Sequence, residues 1–285
     1  MIQLKDNIPT GTFPIVTVLL IVLNIGGFFW QQTTPSDPVP QHFGLSDRDV
    51  QTFEYGAIPY RLTHPGKNCG IGATPGANTA DVYCEGMPDY QDAETSGSTP
   101  PFLSLKAVPW FLTILFAMFM HAGFLHIGGN MLFLWVFGNN VEDALGPLKF
   151  LLFYLVAGVV AIYAQSALGP DSTVPTIGAS GAVAGVLGAY LLLHPKAKVL
   201  TLIFVIFLVT VIEIPATILL GVWFVLQFIP AVSGLDDLGN GGVAYLAHVG
   251  GFVFGLLAIK LIMMRRGSDQ APPSYPASLP PPGYG

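Results

Sequence analysis

Long apolar runs separated by short polar stretches are the main feature of the chain after residue 12. A helix needs about 20 mainly apolar residues to cross the hydrocarbon core of a bilayer. Four runs approach or reach that length: Phe13 to Trp30, Leu148 to Leu168, Thr176 to Leu193 and Val243 to Met264. Each of them is predicted to be a membrane-spanning helix.

The apolar run from Ala107 to Phe137 is too long for a single untilted crossing. Pro109 and the break at residues 121–123 divide it, because proline and glycine interrupt a regular helix. We therefore predict an interfacial segment first and then a span from about Gly123 to Phe137.

The run from Val199 to Ile229 is also too long for one crossing. Glu213 and Pro215 divide it into an interfacial part and a span that starts near Pro215. With this span the total is six, so the predicted fold class is all-α, a polytopic membrane helix bundle with six transmembrane helices.

The first run also has the position of a secretory signal peptide. Its apolar part exceeds the roughly 7–15 residues of such a peptide, and no small-x-small cleavage site follows closely, so we interpret it as a retained span. The predicted organisation is an N-terminal segment 1–12, a membrane domain 13–266 with a loop insertion at about 31–106, and a Pro-rich tail 267–285. The composition of that tail predicts disorder.

Composition supports a membrane setting. Hydrophobic residues make up 52% of the chain and charged residues only 10%, whereas soluble domains carry about 25% charged residues. The net charge of -6 argues against a nucleic-acid-binding protein, since no basic face is available to neutralise phosphates. Two cysteines are too few for a zinc site, and no metal or cofactor is expected.

The distribution of Lys and Arg predicts the orientation. With the N-terminus inside, the inner basic residues are Lys5, Lys149, Lys196, Lys198, Lys260, Arg265 and Arg266. The outer ones all lie in the long first loop, where charge matters less to topology. Both termini are therefore predicted to be cytoplasmic, and Cys69 and Cys84 fall on the oxidising side. There a disulfide between them is predicted, with two unpaired thiols as the alternative.

Polar residues inside the predicted spans are few, and four of them cluster at a similar depth. His126 and Asn130 lie four residues apart, on one face of the second span. Ser180 lies where the fourth span enters from outside, and His248 lies about one turn into the sixth. Each alone is explained by helix packing or backbone hydrogen bonding. Their common depth below the outer surface indicates a functional site.

Small residues predict which helices bring this site together. After Ser180 the fourth span presents small residues at helical spacing, and the sixth span does the same around His248: Gly181, Ala184, Gly185 and Gly188 in the first, Ala247, Gly251 and Gly255 in the second. Faces of this kind let two helix backbones approach closely. If they pack together, Ser180 and His248 come toward hydrogen-bond distance.

These residue types suit acyl transfer. Serine becomes an effective nucleophile when an adjacent base takes its proton, and neutral imidazole does this near pH 7. The side chains of His126 and Asn130 and the Ser180 backbone N–H could donate hydrogen bonds to the oxyanion. No Asp or Glu is placed to orient His248, so the sequence predicts a Ser-His dyad.

Three segments resemble the rhomboid intramembrane serine proteases of the bacterial type, over roughly Phe13 to Arg266. They are His121-Ala-Gly-Phe-Leu-His126-Ile-Gly-Gly-Asn130, Gly178-Ala-Ser180-Gly181 and Ala247-His248-Val-Gly-Gly251-Phe-Val-Phe-Gly255. The resemblance implies Ser180 as nucleophile, His248 as general base, and Asn130 with His126 around the oxyanion. It also implies that His121, at the membrane edge, and Gly178 shape the site.

The resemblance further implies an integral multi-pass protein of the bacterial plasma membrane that cleaves transmembrane protein substrates. The fifth span and the loop from Ser233 to Gly242 resemble the family's lateral substrate gate. Two features depart from the family. Ala184 replaces an aromatic residue that often stacks on the catalytic imidazole, and an insertion from about Pro65 to Pro101 exceeds the basic bacterial pattern.

Two other classes of protein compete with a protease. A catalytically inactive rhomboid-like protein that binds or escorts transmembrane clients keeps the bundle but loses the serine or the histidine, and both are present here. A small transporter usually has internal repeats and charges near the membrane midplane. The chain has neither feature.

Overall fold

A computed structural model describes residues 2–33, 45–73, 80–91, 102–105, 108–205, 208–233 and 243–266. The predicted disordered tail lies outside these residues, as do most of the predicted gate loop and part of the first-loop insertion. The described helices are α1 (Ile15–Thr33), α2 (Asp47–Tyr55), α3 (Pro59–Thr63), α4 (Trp110–Ala117), α5 (Phe124–Phe133), α6 (Asn139–Leu145), α7 (Pro147–Leu168), α8 (Ser180–Leu193), α9 (Ala216–Val232) and α10 (Tyr245–Arg266). A π-helical turn, Leu134–Gly138, joins α5 to α6 in one continuous helix.

Within the described residues, three helices are long and apolar enough to cross a membrane: α1, α7 and α10. The helices α8 and α9 are equally apolar but shorter. Large apolar side chains point outward from these helices, including Leu148 at 78% exposed and Val232 at 63% exposed. Such surfaces are stable only in contact with lipid or another apolar partner, so the molecule is a membrane helix bundle.

The predicted helix boundaries agree closely for α7 and α10 and less well for α8. The predicted spans Leu148 to Leu168 and Val243 to Met264 coincide with α7 and α10 to within two residues at each end. The helix predicted from Thr176 begins only at Ser180. The residues before it form a loop because Gly178 has φ of +122°, which a right-handed helix does not allow.

The all-α prediction is wrong outside the helix bundle, where the described residues form two three-stranded antiparallel sheets. One has the order β1-β5-β6, from strands β1 (Ile2–Asp6), β5 (Lys198–Val205) and β6 (Leu208–Pro215). The other has the order β3-β2-β4, from strands β2 (Cys69–Ala73), β3 (Ala80–Cys84) and β4 (Leu103–Ser104).

The predicted interfacial segment before Pro215 is the hairpin of β5 and β6. Its register pairs Val205 with Leu208 at one end and Lys198 with Pro215 at the other. A continuous apolar run does not distinguish a strand from a helix by periodicity. The density of Val, Ile and Thr in this run was the available signal, since β-branched residues favour strands.

The predicted disulfide between Cys69 and Cys84 is confirmed. The two cysteines are directly opposite each other in the pairing of β2 with β3, and they are bonded. They contribute to a small apolar cluster that is separate from the bundle core and includes Ile58, Ile71 and Val82. The disulfide therefore joins two strands of one small subdomain.

Helix α8 lies at the centre of the bundle, between α7 and α10. All its residues from Gly181 to Tyr190 are buried. A Cβ atom on Gly251 would overlap the carbonyl oxygen of Gly181, and one on Gly255 would overlap that of Gly185. The predicted packing of the two small-residue faces is therefore confirmed, because these backbones touch without intervening side chains.

At the end of the bundle away from Ser180, two carboxylates hold the start of α1. Glu142 accepts hydrogen bonds from the backbone N–H groups of Val16 and Thr17, at 2.9 and 2.7 Å, and from the Thr17 hydroxyl at 2.7 Å. Asp143 accepts from Gly11 N at 3.1 Å and Thr12 N at 3.0 Å. The bonds to Glu142 satisfy N–H groups that a helix start leaves unpaired, and those to Asp143 hold the segment just before the helix.

Candidate active site

Ser180 is the first residue of α8 and follows a tight loop. Gly178 in this loop donates its N–H to the Ala117 carbonyl at 2.8 Å and has φ of +122°, a region that favours glycine. A Cβ atom at residue 178 would lie 2.8 Å from the His126 ring. Glycine is therefore required here both by the backbone conformation and by the close approach of His126.

His248 lies beside Ser180. Its Nε2 atom is 2.8 Å from the Ser180 Oγ, and its Nδ1 atom is 2.7 Å from the Oε1 atom of Gln227 in α9. An amide oxygen can only accept a hydrogen bond, so the proton of the neutral imidazole is on Nδ1. Nε2 is then free of a proton and accepts the hydrogen bond from the Ser180 hydroxyl.

His126 and Asn130 lie four residues apart in α5, and the His126 ring approaches Gly178 of the loop before Ser180. The His126 Nδ1 atom accepts a hydrogen bond from the Ala122 N–H at 3.4 Å, which leaves the ring proton on Nε2, one of the two ring atoms that approach Gly178 most closely. The Asn130 side chain is only 7% exposed, and its Nδ2 has no hydrogen-bond partner among the described residues. Both side chains thus carry N–H donors that the described part of the protein leaves available.

His121 supports the loop before Ser180. Its ring is fully buried, and its Nε2 accepts a hydrogen bond from the Ala179 N–H at 3.4 Å. Its own backbone N–H donates to Gln31 Oε1 in α1 at 3.1 Å. The structure therefore places His121 behind the serine rather than beside its hydroxyl.

Hydrogen bonds and close contacts join five of the six predicted site residues at the loop before Ser180, and Asn130 lies one helical turn beyond His126. Two further neighbours of His248 were not predicted from the sequence. Gln227 contacts the Nδ1 atom of the ring, and the Trp223 ring centroid lies 5.9 Å from that of His248, at an interplanar angle of 36°. Ala184, where the resemblance implies an aromatic residue, is fully buried beside Gly251, where α8 and α10 are in contact. The aromatic neighbour of the imidazole therefore comes from α9.

A signal for Gln227 was present in the sequence. It is the single amide side chain in α9, among apolar residues. A polar side chain in a membrane-spanning segment is costly and points to function. Its partner could not be named in advance, because only the packing of α9 against α10 brings it to His248.

The arrangement contains the parts needed for attack on a carbonyl: a hydroxyl, a base that accepts its proton, and N–H donors around the same loop. The described residues contain no group of three or more His, Cys, Asp or Glu that could hold a metal ion.

Comparison with known proteins identifies the family of this chain. The family model of the rhomboid domain matches residues 109–265, which is more than half of the chain. This chain belongs to the rhomboid family. The matched residues contain all six predicted site residues, Gln227 and Trp223.

Named rhomboid relatives match the chain at moderate identity. Rhomboid protein 1, mitochondrial, from Saccharomyces cerevisiae is 34% identical over 51% of this chain and 40% of the relative. Rhomboid protease GluP from Bacillus subtilis is 35% identical over 54% of this chain and 27% of the relative. Rhomboid-type serine protease 2 from Emericella nidulans is 28% identical over 67% of this chain and 35% of the relative. The matched region spans less than half the length of each of these rhomboids.

Proposed function

We propose that this chain is an intramembrane serine endopeptidase that hydrolyses peptide bonds in or near the transmembrane segments of other membrane proteins. The observation that carries the proposal is the 2.8 Å distance between Ser180 Oγ and His248 Nε2. This is the distance at which a general base accepts the proton of a nucleophile. Relatives named as a rhomboid protease and as a rhomboid-type serine protease support the same reaction class.

In the first half of the reaction, the Ser180 Oγ attacks the carbonyl carbon of the substrate while its proton passes to His248 Nε2. A tetrahedral oxyanion forms. When it collapses, the carbon–nitrogen bond breaks and the His248 imidazolium gives its proton to the departing amine. The acyl group is left as an ester on Ser180.

In the second half, water replaces the amine. His248 Nε2 takes a proton from the water as it attacks the ester carbonyl, and a second oxyanion forms. Collapse of that intermediate releases the carboxylic acid and returns the proton to Ser180. No metal or cofactor takes part in either half.

The oxyanion is stabilised by donors around the loop before Ser180. Asn130 Nδ2 and His126 Nε2–H supply side-chain donors, and the first-turn N–H of Ser180 supplies a backbone donor at the positive end of α8. The Asn130 Nδ2 makes no hydrogen bond to the described residues, so it can donate to an oxyanion without breaking a bond within them.

The proposed setting in the membrane has six spans, formed by α1, the continuous helix of α5 and α6, α7, α8, α9 and α10. Both termini are cytoplasmic, in the plasma membrane of a bacterium, and the site faces the outer leaflet. The proposed organisation is an N-terminal segment 1–12, a membrane domain 13–266 with a loop insertion at about 31–106, and a Pro-rich tail 267–285. Transmembrane proteins are its substrates.

A substrate helix must unwind locally, because amides paired within a helix are hidden from the nucleophile. We therefore expect small or helix-breaking residues near the cleavage point. Substrates whose Gly and Pro positions are replaced by Leu should be cleaved more slowly at equal enzyme concentration. Equal rates would contradict this expectation.

The decisive experiment is cleavage of a reporter transmembrane substrate by the full chain in lipid, with wild type, Ser180→Ala and His248→Ala compared. Wild-type cleavage that both substitutions abolish, at unchanged thermal stability, supports the proposal. Cleavage that survives Ser180→Ala excludes this nucleophile. If folded wild type cleaves none of several substrates, the alternative of an inactive rhomboid-like protein that binds or escorts transmembrane clients takes its place.

A further inference from the structure

Gln227 contacts His248 from the side opposite Ser180. Its Oε1 atom lies 2.7 Å from His248 Nδ1, while Ser180 Oγ lies 2.8 Å from His248 Nε2. The three side chains come from three separate helices, α9, α10 and α8. They form a continuous hydrogen-bonded chain from Gln227 through the imidazole to the serine.

The contact with Gln227 determines which nitrogen of the His248 ring carries the proton. A neutral imidazole has one N–H donor and one acceptor nitrogen, and the hydrogen bond on one nitrogen decides which tautomer is present. Only the tautomer with its proton on Nδ1 leaves Nε2 able to take the Ser180 proton. An oxygen acceptor at Nδ1 selects that tautomer.

The surroundings of Gln227 indicate why an amide lies there. Its neighbours Leu226 and Phe228 are 59% and 44% exposed on the outside of an apolar helix. A carboxylate in such a helix is costly, and an amide without a partner is also unfavourable in an apolar environment. A hydrogen-bonded amide supplies the acceptor without a charge.

A second residue of α9 fixes the ring from another direction. Trp223 precedes Gln227 by one helical turn, so both side chains lie on one face of α9. The Trp223 ring lies against the His248 ring, with centroids 5.9 Å apart. One face of α9 therefore sets both the plane of the imidazole, through Trp223, and its tautomer, through Gln227.

We propose that Gln227 is a positioning residue that holds His248 in the base-competent tautomer. Its neutral amide orients the imidazole from the side opposite Ser180, as the third residue of a catalytic triad does. This inference rests on the proposed protease function for its effect on rate, but the tautomer itself is measurable without activity. Loss of a second-shell partner that orients a metal-ligating histidine costs about 10- to 100-fold in activity, and we expect a loss of that order for the orientation of His248. The wrong tautomer in a serine-protease triad costs about 10⁴-fold.

The test compares wild type with Gln227→Met, which removes the acceptor at similar volume, and Gln227→Glu, which keeps an acceptor oxygen. The matched control is Leu226→Met on the lipid-facing side of the same helix. All are full-length chains in lipid vesicles. The readouts are kcat and KM for a reporter substrate, the labelling rate of Ser180 by a fluorophosphonate, thermal stability, and the ¹⁵N spectrum of histidine-labelled protein, with His248→Ala used to assign the signals.

We expect Gln227→Met to lower kcat and the labelling rate by about 10- to 100-fold, with KM within about two-fold because substrate contacts are unchanged. Its ¹⁵N spectrum should show His248 shifting from the Nδ1–H toward the Nε2–H tautomer. Gln227→Glu should restore most of the labelling rate, and Leu226→Met should match wild type.

Two outcomes overturn the inference. One is a His248 tautomer that is the same in wild type and Gln227→Met. The other is an equal loss of activity in the Met and Glu variants at wild-type thermal stability, which would show that His248 does not depend on the acceptor oxygen at residue 227. A wild type that neither cleaves nor labels, but whose tautomer changes in Gln227→Met, would refute the proposed protease and leave the positioning contact standing.

Discussion

Gly251 of α10 lies against the carbonyl oxygen of Gly181 in α8, the residue directly after Ser180. Gly251 is also three residues beyond His248. The contact therefore sets the separation of the two helices within one turn of the proposed dyad. Any side chain at residue 251 must push α10 away from α8, and His248 away from Ser180.

The first prediction concerns this contact. Gly251→Ala should destabilise the protein by about 1–3 kcal/mol, the usual cost of overpacking, and should lower cleavage more than stability alone explains. Thermal unfolding in lipid and the rate of serine labelling below the unfolding temperature measure the two effects. Gly221→Ala in α9 is the control, because its Cβ would meet nothing within 4 Å. Unchanged labelling in Gly251→Ala would contradict the argument.

The second prediction concerns the loop before Ser180. Gly178→Ala places a Cβ 2.8 Å from the His126 ring at a backbone φ of +122°. We expect cleavage to fall by at least about 100-fold, because a displacement of about 1 Å at a reacting group costs that much. Gly129→Ala, whose Cβ meets nothing within 4 Å, serves as the control. Wild-type activity in Gly178→Ala would show that the loop can move aside.

The third prediction separates stability from catalysis at Asn130. Its buried Nδ2 has no partner among the described residues, so Asn130→Ala should leave the melting temperature unchanged or raise it. The same variant should lower kcat by about 10²–10³-fold, as loss of an oxyanion donor does. Reporter cleavage and thermal unfolding in lipid test both statements. A fall in stability with unchanged kcat would assign Asn130 to packing.

The fourth prediction concerns the opposite end of the bundle. Glu142 is 2% exposed and holds two N–H groups at the start of α1 together with the Thr17 hydroxyl. Glu142→Ala should therefore cost about 2–4 kcal/mol, since it leaves buried donors unpaired, and Glu142→Gln should cost less. Thermal unfolding in lipid measures both. Serine labelling per folded molecule should be unchanged. A loss of labelling without a loss of stability would show that the contacts of Glu142 affect the reactivity of Ser180.

The fifth prediction concerns the disulfide between Cys69 and Cys84, which are 15 residues apart. Closure of such a loop contributes about 3 kcal/mol. The double substitution to Ser should expose residues 69–84 to proteolysis at temperatures where the bundle resists it. Reporter cleavage should be retained, because the cysteines belong to a cluster separate from the bundle core. Wild type treated with a membrane-impermeant reductant should behave in the same way.

Much of the bundle was predictable because its signals are local. The lengths of apolar runs located α7 and α10 closely, and small residues at intervals of three and four predicted the packing of α8 on α10. The common depth of His126, Ser180 and His248 followed from counting residues along those helices. Each of these inferences needs only the rise per residue of a helix and the cost of polar groups in lipid.

The tertiary structure decided what depends on contacts between distant segments. Residues 198–205 and 208–215 pair as strands. Their apolar, β-branched sequence fits either a helix or a strand, and pairing with β1 favours the strands. The cysteines pair because β2 and β3 bring them face to face. Gln227 reaches His248 only through the packing of α9 against α10. Hydrogen bonds between side chains far apart in the chain depend on helix rotation and spacing, which no local pattern determines.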